Sequence, residues 1–370
     1  MNQKKLRDSN IELLRIIAML MIVGSHYACH GIQKCLFHDI HQEFLAGSQV
    51  NQIFTSLLNP GGMVGVGIFF MITGYFQINR DKFSIKKIVL ETSFYGIFAV
   101  IAYAIITTCG ITLPYANELP IANRIIASIC LPATSGLWWF ASAYIMLVII
   151  SPVLNKYLRK LSMAGWVLTL IVAWLLWYCL TGYLVTDYYT IFRAVFFYML
   201  GGFFRLNDIH INKFVSLVVA IASWICSGFL NYIQFTHMYD GLIPHASGLA
   251  YIIDLILAVP ITVITTFSFF KEIRLAPNSF INTISATTFG IYLIHESFIG
   301  RLGIWYGILN VSQRQYPSRY YPLMACASII GVFAACSLID FCRMKFIEPI
   351  QYKIVDNLAK KTQKVLFKDQ

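Results

Sequence analysis

The sequence predicts an all-α, polytopic transmembrane helical bundle, and three observations carry that prediction. The 370 residues are 58% hydrophobic and 12% charged, with a mean hydropathy of +0.67. Apolar runs of bilayer-spanning length recur down the whole chain. Between them Lys and Arg gather in alternate loops, the sidedness pattern of a protein inserted in a membrane.

The runs give ten expected helices, set against the ~17–25 apolar residues that a crossing needs. The first, 11–29, follows Asp8, Ser9 and Asn10, which are good N-cap residues, and Ser9-x-x-Glu12 reads as a capping box. It lacks the short core and small-residue cleavage site of a removable signal and is expected to stay in the mature protein. The second, 53–78, carries Gly61-x-x-x-Gly65, a spacing that lets helices approach closely. The third is 85–109. The fourth, 137–152, and the sixth, 189–204, are short for a crossing, with the fifth at 164–181 between them. Helices at 212–230, 247–270, 280–300 and 322–342 complete the bundle. No internal repeat, low-complexity segment or phosphate-binding Gly-rich loop interrupts the series. The whole chain, 1–370, is expected to be one membrane domain without an appended soluble domain. Trp138, Trp139, Tyr183, Tyr188 and Tyr189 fall near predicted helix ends, where interfacial aromatic belts occur.

Loop charge sets the expected orientation. The N-terminus, the loop holding Arg80, Lys82, Lys86 and Lys87, the loop holding Lys156, Arg159 and Lys160, the pairs Arg205/Lys213 and Lys271/Arg274, and the tail from Arg343 to Lys368 hold most of the 28 basic residues. Basic loops stay on the cytoplasmic side, so both termini are expected there and an even number of crossings follows. Such a chain is expected in the plasma (inner) membrane, and the lipid bilayer is its first partner. The net charge of +11 is met by topology and anionic headgroups, and no nucleic-acid partner is needed. The nine cysteines form no CxxC and no metal-ligand spacing, so no metal is expected. They read as packing residues in preference to a bridge between Cys109 and Cys130, which flank one predicted external loop.

The chemistry concentrates in the first helix. Arg15 and His26 both lie inside an apolar span, where ionisable side chains are costly and mark functional sites by default. Eleven residues are about three turns, so both leave one face of the helix, roughly 16 Å apart. In the expected orientation Arg15 lies about one turn inside the cytoplasmic boundary, and His26 lies toward the external side. The ninth helix rises the same way and puts His295 and Glu296 at a depth like that of His26. Asp254 and Arg193 fall at comparable heights as alternative electrostatic partners. Each of these residues has a plainer reading: Arg15 can snorkel to headgroups, His26 can pack, and His295 beside Glu296 can be solvated.

Four strings in order carry a family resemblance. "NIELLRIIAMLMIVGSHY", with Arg15, ten residues, then His26, resembles the opening helix of acyltransferase family 3, integral membrane O-acyltransferases that modify bacterial cell-surface glycans. "GVGIFFMITGYF", "LWWFASAYIMLVIISPVLN" and "SATTFGIYLIHESF" are similar to its second, fourth and late helices, so the resemblance covers nearly the whole chain. One departure is visible: the Arg-x-x-Arg often seen at the third helix is "KFSIKKIVLE" here, with Lys86 and Lys87 as the nearest basic stand-ins. The resemblance implies transfer of an acyl group, most often acetyl, from cytoplasmic acyl-CoA to a hydroxyl of an extracytoplasmic glycan or lipid-linked sugar. It implies His26 and His295 as catalytic residues, Arg15, Lys86 and Lys87 as acyl-CoA-binding residues, and polysaccharide assembly machinery as a possible partner. The chemistry is consistent: an imidazole suits deprotonation of a sugar hydroxyl or acceptance of the acyl group, and cationic groups suit CoA phosphates. The competing class is a multi-pass transporter of a glycan intermediate or small solute, which intramembrane His and Arg also suit, although no inverted pair of Pro/Gly-broken helices supports it. A scaffold in an assembly complex is the third reading.

Overall fold

The computed structural model describes residues 8–32, 40–82, 84–114, 138–181, 190–236 and 244–366, and among these every regular element is a helix. In chain order they are α1 (Ser9–Gly31), α2 (Ile40–Leu45), α3 (Gln49–Leu58), α4 (Gly61–Gln77), α5 (Lys86–Thr108), α6 (Trp139–Leu158), α7 (Met163–Thr181) and α8 (Thr190–Leu206). There follow α9 (Lys213–Thr236), α10 (Pro244–Ile253), α11 (Val259–Glu272), α12 (Ser279–Ala286), α13 (Thr288–His295), α14 (Tyr321–Cys342) and α15 (Glu348–Leu366). Wider, π-helical stretches run over Asp254–Ala258, Arg301–Ile308, Val311–Gln315 and Arg343–Ile347.

All ten expected stretches are helical, but among the described residues seven segments are long and apolar enough to cross a membrane. The expected span 164–181 yields a shorter apolar helix, Met163–Cys179, and α8 has 17 residues. The expected helix 280–300 is broken. At Thr287 the Ile284 carbonyl accepts both the Thr287 amide, at 3.0 Å, and the Thr287 hydroxyl, at 2.8 Å, which interrupts the regular ladder and separates α12 from α13. A second turn at Glu296–Ser297 follows, where Ser297 caps Phe298–Gly300 through the Gly300 amide. Residues expected in an external loop therefore fold back into the bundle, and Arg301 and Gln315 are buried.

Close helix approach is set by glycine. The α-hydrogens of Gly61 and Gly65 face the backbone of Met21 and Ala18, so α4 lies directly on α1. Gly74 meets the backbone of Tyr198, and Gly201 meets that of Met71, so α4 and α8 are in reciprocal contact. Within a bilayer there is little hydrophobic drive between helices, so small residues that admit backbone contact and dispersion hold the pair. α1 is thereby central, packed on α3, α4, α11, α12, α13 and α14.

Several local expectations change. The Ser9/Glu12 capping box does not form: the Ser9 hydroxyl accepts the Asn278 amide at 2.8 Å, and Glu12 accepts from the Ser285 hydroxyl, so both residues tie α1 to α12 instead of capping α1. Trp138 is buried in the bundle, and Trp139 lies under the Arg193 guanidinium at 4.8 Å. Tyr183, Tyr188, Tyr189 and Cys130 lie outside the described residues, and Cys109 is a free, exposed thiol. Arg343, expected in a solvated tail, is buried between Asp340 (2.6 Å), Glu91 (3.1 Å) and Glu348 (3.3 Å).

A side chain at Gly74 has no space short of moving backbone. Gly74→Val is expected to destabilise the purified protein by about 1–3 kcal/mol or more, read as a lowered unfolding temperature in detergent. Gly331→Ala, inside α14 with open space around it, is expected to hold that temperature or raise it, by up to about 1 kcal/mol of stability.

Candidate active site

The centre of the site is Glu296, whose carboxylate is buried where α13 turns. Arg301, one turn later, donates to Glu296 Oε2 through Nε at 2.8 Å and also through Nη2. The other oxygen, Oε1, faces α1: His30 Nε2 lies 2.9 Å from it and His26 Nδ1 lies 2.8 Å from it. A buried carboxylate is tolerable only when paired and hydrogen-bonded, and here one guanidinium and two imidazoles do both.

His295 completes the group. Its Nδ1 is 2.6 Å from the Ile291 carbonyl, which can only accept, so Nδ1 carries the proton and Nε2 presents a lone pair. His26 Nδ1 lies 2.9 Å from that Nε2. Facing a lone pair on one side and a carboxylate on the other, His26 Nδ1 must be the protonated nitrogen; these tautomers are assigned from the hydrogen-bond network. His26 Nε2 is then left with its lone pair, on the one imidazole of the three that keeps some exposure: its side chain is 13% exposed, against 6% for His30. A carboxylate oriented on one ring nitrogen with a basic second nitrogen is the arrangement of a general base.

The donor atoms of His26, His295 and Glu296 lie within 4.8 Å of one another, a candidate cation site by donor type. The hydrogen bonds already described use these atoms, and Arg301 already neutralises the carboxylate, so the arrangement is explained as a proton-holding network.

The other sequence candidates separate. Arg15, half-buried, makes an ion pair with Glu12 at 3.5 Å and points into a cavity of ≈ 230 Å³ that also holds Lys87, Glu91, Thr73 and Tyr144. A second cavity of ≈ 240 Å³ shares Thr73, Ile88 and Tyr144 with the first and carries Arg80 and Lys82. Together they form a cationic recess at the end of the bundle where the basic loops gather. Lys86 turns away from this recess, pairing with Asp356 and lying 4.8 Å over the Tyr352 ring on α15. Asp254 does not reach the imidazoles; Ser227 and Asn231 hold its carboxylate. Arg193 stacks on Trp139 and meets Met63. Tyr292 meets both Phe140, which lines the recess, and His295, with ring centroids 5.4 and 6.3 Å from its own.

Sequence reasoning missed His30 and Arg301. The spacing His26-x-x-x-His30 places both imidazoles on one helical face and carried a readable signal; Glu296 and Arg301, five residues apart, fall outside the i,i+3 and i,i+4 spacings of a regular helix and are brought together by the turn at Glu296–Ser297. Cys29, beside His30 in sequence, is disulfide-bonded.

Among the described residues the chain is an all-helical bundle with seven segments able to cross a membrane, a buried carboxylate–imidazole cluster and a separate cationic recess. The family model described as an acyltransferase domain matches residues 8–340, and the chain belongs to that family, acyltransferase family 3. It is a membrane acyltransferase. No curated protein and no solved structure matches the chain.

Removing Glu296 alone takes from the buried Arg301 the carboxylate that its Nε and Nη2 donate to. Glu296→Leu is expected to cost about 3–5 kcal/mol of stability, and Glu296→Leu combined with Arg301→Leu to recover most of that loss, as measured by unfolding of both variants in detergent.

Proposed function

We propose that this acyltransferase moves an acyl group, acetyl foremost, from cytoplasmic acyl-CoA to a hydroxyl of an extracytoplasmic cell-surface glycan or lipid-linked sugar in the plasma membrane. The observation that carries the reading is the division of labour along α1: Arg15 opens into a cationic recess, and His26, about three turns on, is held by Glu296 with Nε2 free to take a proton. The excess of Lys and Arg at the Arg15 end supports a cytoplasmic recess and cytoplasmic termini. The disulfide at Cys29 supports an oxidising compartment at the His26 end.

In this reading Arg15 and Lys87, with Arg80 and Lys82 at the second cavity, hold the phosphates of CoA; guanidinium binds them in a fork and ammonium as a point charge. The acyl carbonyl is presented past Tyr292 toward His26. His26 Nε2 removes the proton of the acceptor hydroxyl as its oxygen bonds to the thioester carbon. Glu296 stabilises the imidazolium through Nδ1–H, as in serine-hydrolase triads. When the C–S bond breaks, the thiolate takes the proton back from His26, so the products are ester and CoA thiol. His295 orients His26 through its Nε2 lone pair. Direct transfer to the acceptor suits this arrangement because one proton serves both steps; attack by His26 Nε2 itself is the two-step variant.

Free CoA thiol, measured with purified protein in proteoliposomes given acetyl-CoA and a cell-envelope glycan extract, tests the reading. His26→Ala is expected to lower turnover about 10²–10⁴-fold with the fold intact. Arg15→Ala and Lys87→Ala are expected chiefly to raise KM for acetyl-CoA. Full turnover in folded His26→Ala would remove the base assignment, and solute flux without CoA release would favour transport.

A further inference from the structure

Two imidazoles meet one oxygen of Glu296, and the proton transfer uses only His26. The role of the second, His30, follows from how the carboxylate is gripped. Arg301 donates twice, through Nε and Nη2, but both bonds go to Oε2. A carboxylate held by one oxygen can pivot about it, so the guanidinium by itself leaves the position of Oε1 open. Oε1 is the atom that must meet His26 Nδ1–H. With His26 as its only partner, the base would have to place the group that orients it.

His26 is poorly suited to that task. Its one Nδ1 proton is shared between Oε1 at 2.8 Å and His295 Nε2 at 2.9 Å. Were Oε1 to swing away, the proton would settle on His295, a neutral partner that stabilises an imidazolium less than a carboxylate does. His30 has no such choice. A carboxylate only accepts, so His30 Nε2, 2.9 Å from Oε1, carries the proton, and Nδ1 keeps a lone pair with no hydrogen-bond partner among the described residues. The ring has one bond to make, and it makes it to Oε1.

The turn of α1 that carries His30 is anchored as well. Gly31 lies so close to Val311 that a Cβ would stand 2.9 Å from its side chain, and Tyr27 donates to Gln315 at 2.7 Å. Both neighbours lie in the stretch Val311–Gln315, which follows Arg301–Ile308 in the chain. The end of α1 and the guanidinium are thus fixed to one segment, with the carboxylate between them.

We propose that His30 is a positioning residue: as a neutral donor it fixes Glu296 Oε1 at His26 Nδ1, so that the carboxylate is already in place when His26 takes the proton. A neutral donor does this without cancelling the charge that the His26 imidazolium needs. The role rests on the proposed function for the part that His26 plays.

An amide can replace either ring nitrogen, since a glutamine side chain reaches the Nε2 position and an asparagine only that of Nδ1. The test compares His30→Leu, His30→Asn and His30→Gln in the full chain in proteoliposomes. CoA release from acetyl-CoA with the glycan extract is one readout; the other is the Nδ1–H proton resonance of His26 in histidine-labelled protein, assigned with His26→Ala. His30→Leu and His30→Asn are expected to lower kcat about 10²-fold, the scale of an ångström of misplacement, with KM for acetyl-CoA unchanged, and His30→Gln to recover about tenfold of that loss. The His26 resonance, downfield through its bond to the carboxylate, is expected to move upfield in His30→Leu and His30→Asn and to stay in His30→Gln. In a Glu296→Gln background His30→Leu is expected to lower kcat no further, because it acts through that carboxylate. If His30→Leu does not fold, the two amide variants carry the comparison. An unchanged kcat or resonance in folded His30→Leu, a fall in kcat matched by a rise in KM, or His30→Gln no better than His30→Asn overturns the proposal. The resonance needs no turnover, so the expected shifts in protein that releases no CoA leave the positioning role standing and sink the acyl-CoA reading.

Discussion

The structure of the site depends on one buried carboxylate. Glu296 is fully enclosed, and a charge there is costly unless it is neutralised and its lone pairs are occupied. Arg301 does the first and, with His26 and His30, the second. This requirement explains the unusual path of the chain: α13 must end at His295, turn, and re-enter helix so that Arg301 comes back to Glu296 Oε2 while Oε1 faces the imidazoles of α1. The two imidazoles of α1 then approach the remaining oxygen. The contacts that orient His26 are therefore the same set that makes the carboxylate tolerable.

That arrangement demands that α1 stay in register with α13, and the packing supplies it. Glycine contacts press α4 onto α1 on one side, while Ser9 and Glu12 reach α12 at the basic end. At the same end, Arg343 draws Glu91 of α5 and Asp340 of α14 together, and Tyr95 donates to Asp340 at 2.7 Å. Glu91 also lines the recess that holds Arg15 and Lys87. The recess wall and the C-terminal helices are thus one polar network, because unpaired charges at this depth have no solvent to turn to.

Polar groups at both ends of α1 serve different ends. The Arg15 recess is open and cationic, and suits a phosphate-bearing ligand; the His26 site is nearly closed and close to neutral once its partners are counted. Separation along one rigid helix keeps the two about 16 Å apart, which allows a ligand long enough to bridge them and disfavours a compact one.

Much of this was legible in the chain. Apolar length determined the helical membrane class, since a bilayer accepts little else, and the Arg15–His26 spacing determined a shared face because helical periodicity is local. The order of four apolar strings was enough to place the family, which the match over residues 8–340 shows. Tertiary structure alone decided the rest. The break at Thr287 depends on which donor wins one carbonyl, and the failure of the Ser9/Glu12 cap depends on competing partners some 270 residues away. The turning of Lys86 to α15 while Lys87 enters the recess follows from which face of α5 meets which neighbour. The assembly of His26, His30, His295, Glu296 and Arg301 joins two segments that sequence can only place at similar depth. Depth follows from counting residues along one helix; contact follows from how the helices are rotated against each other, and that is a property of the packed bundle.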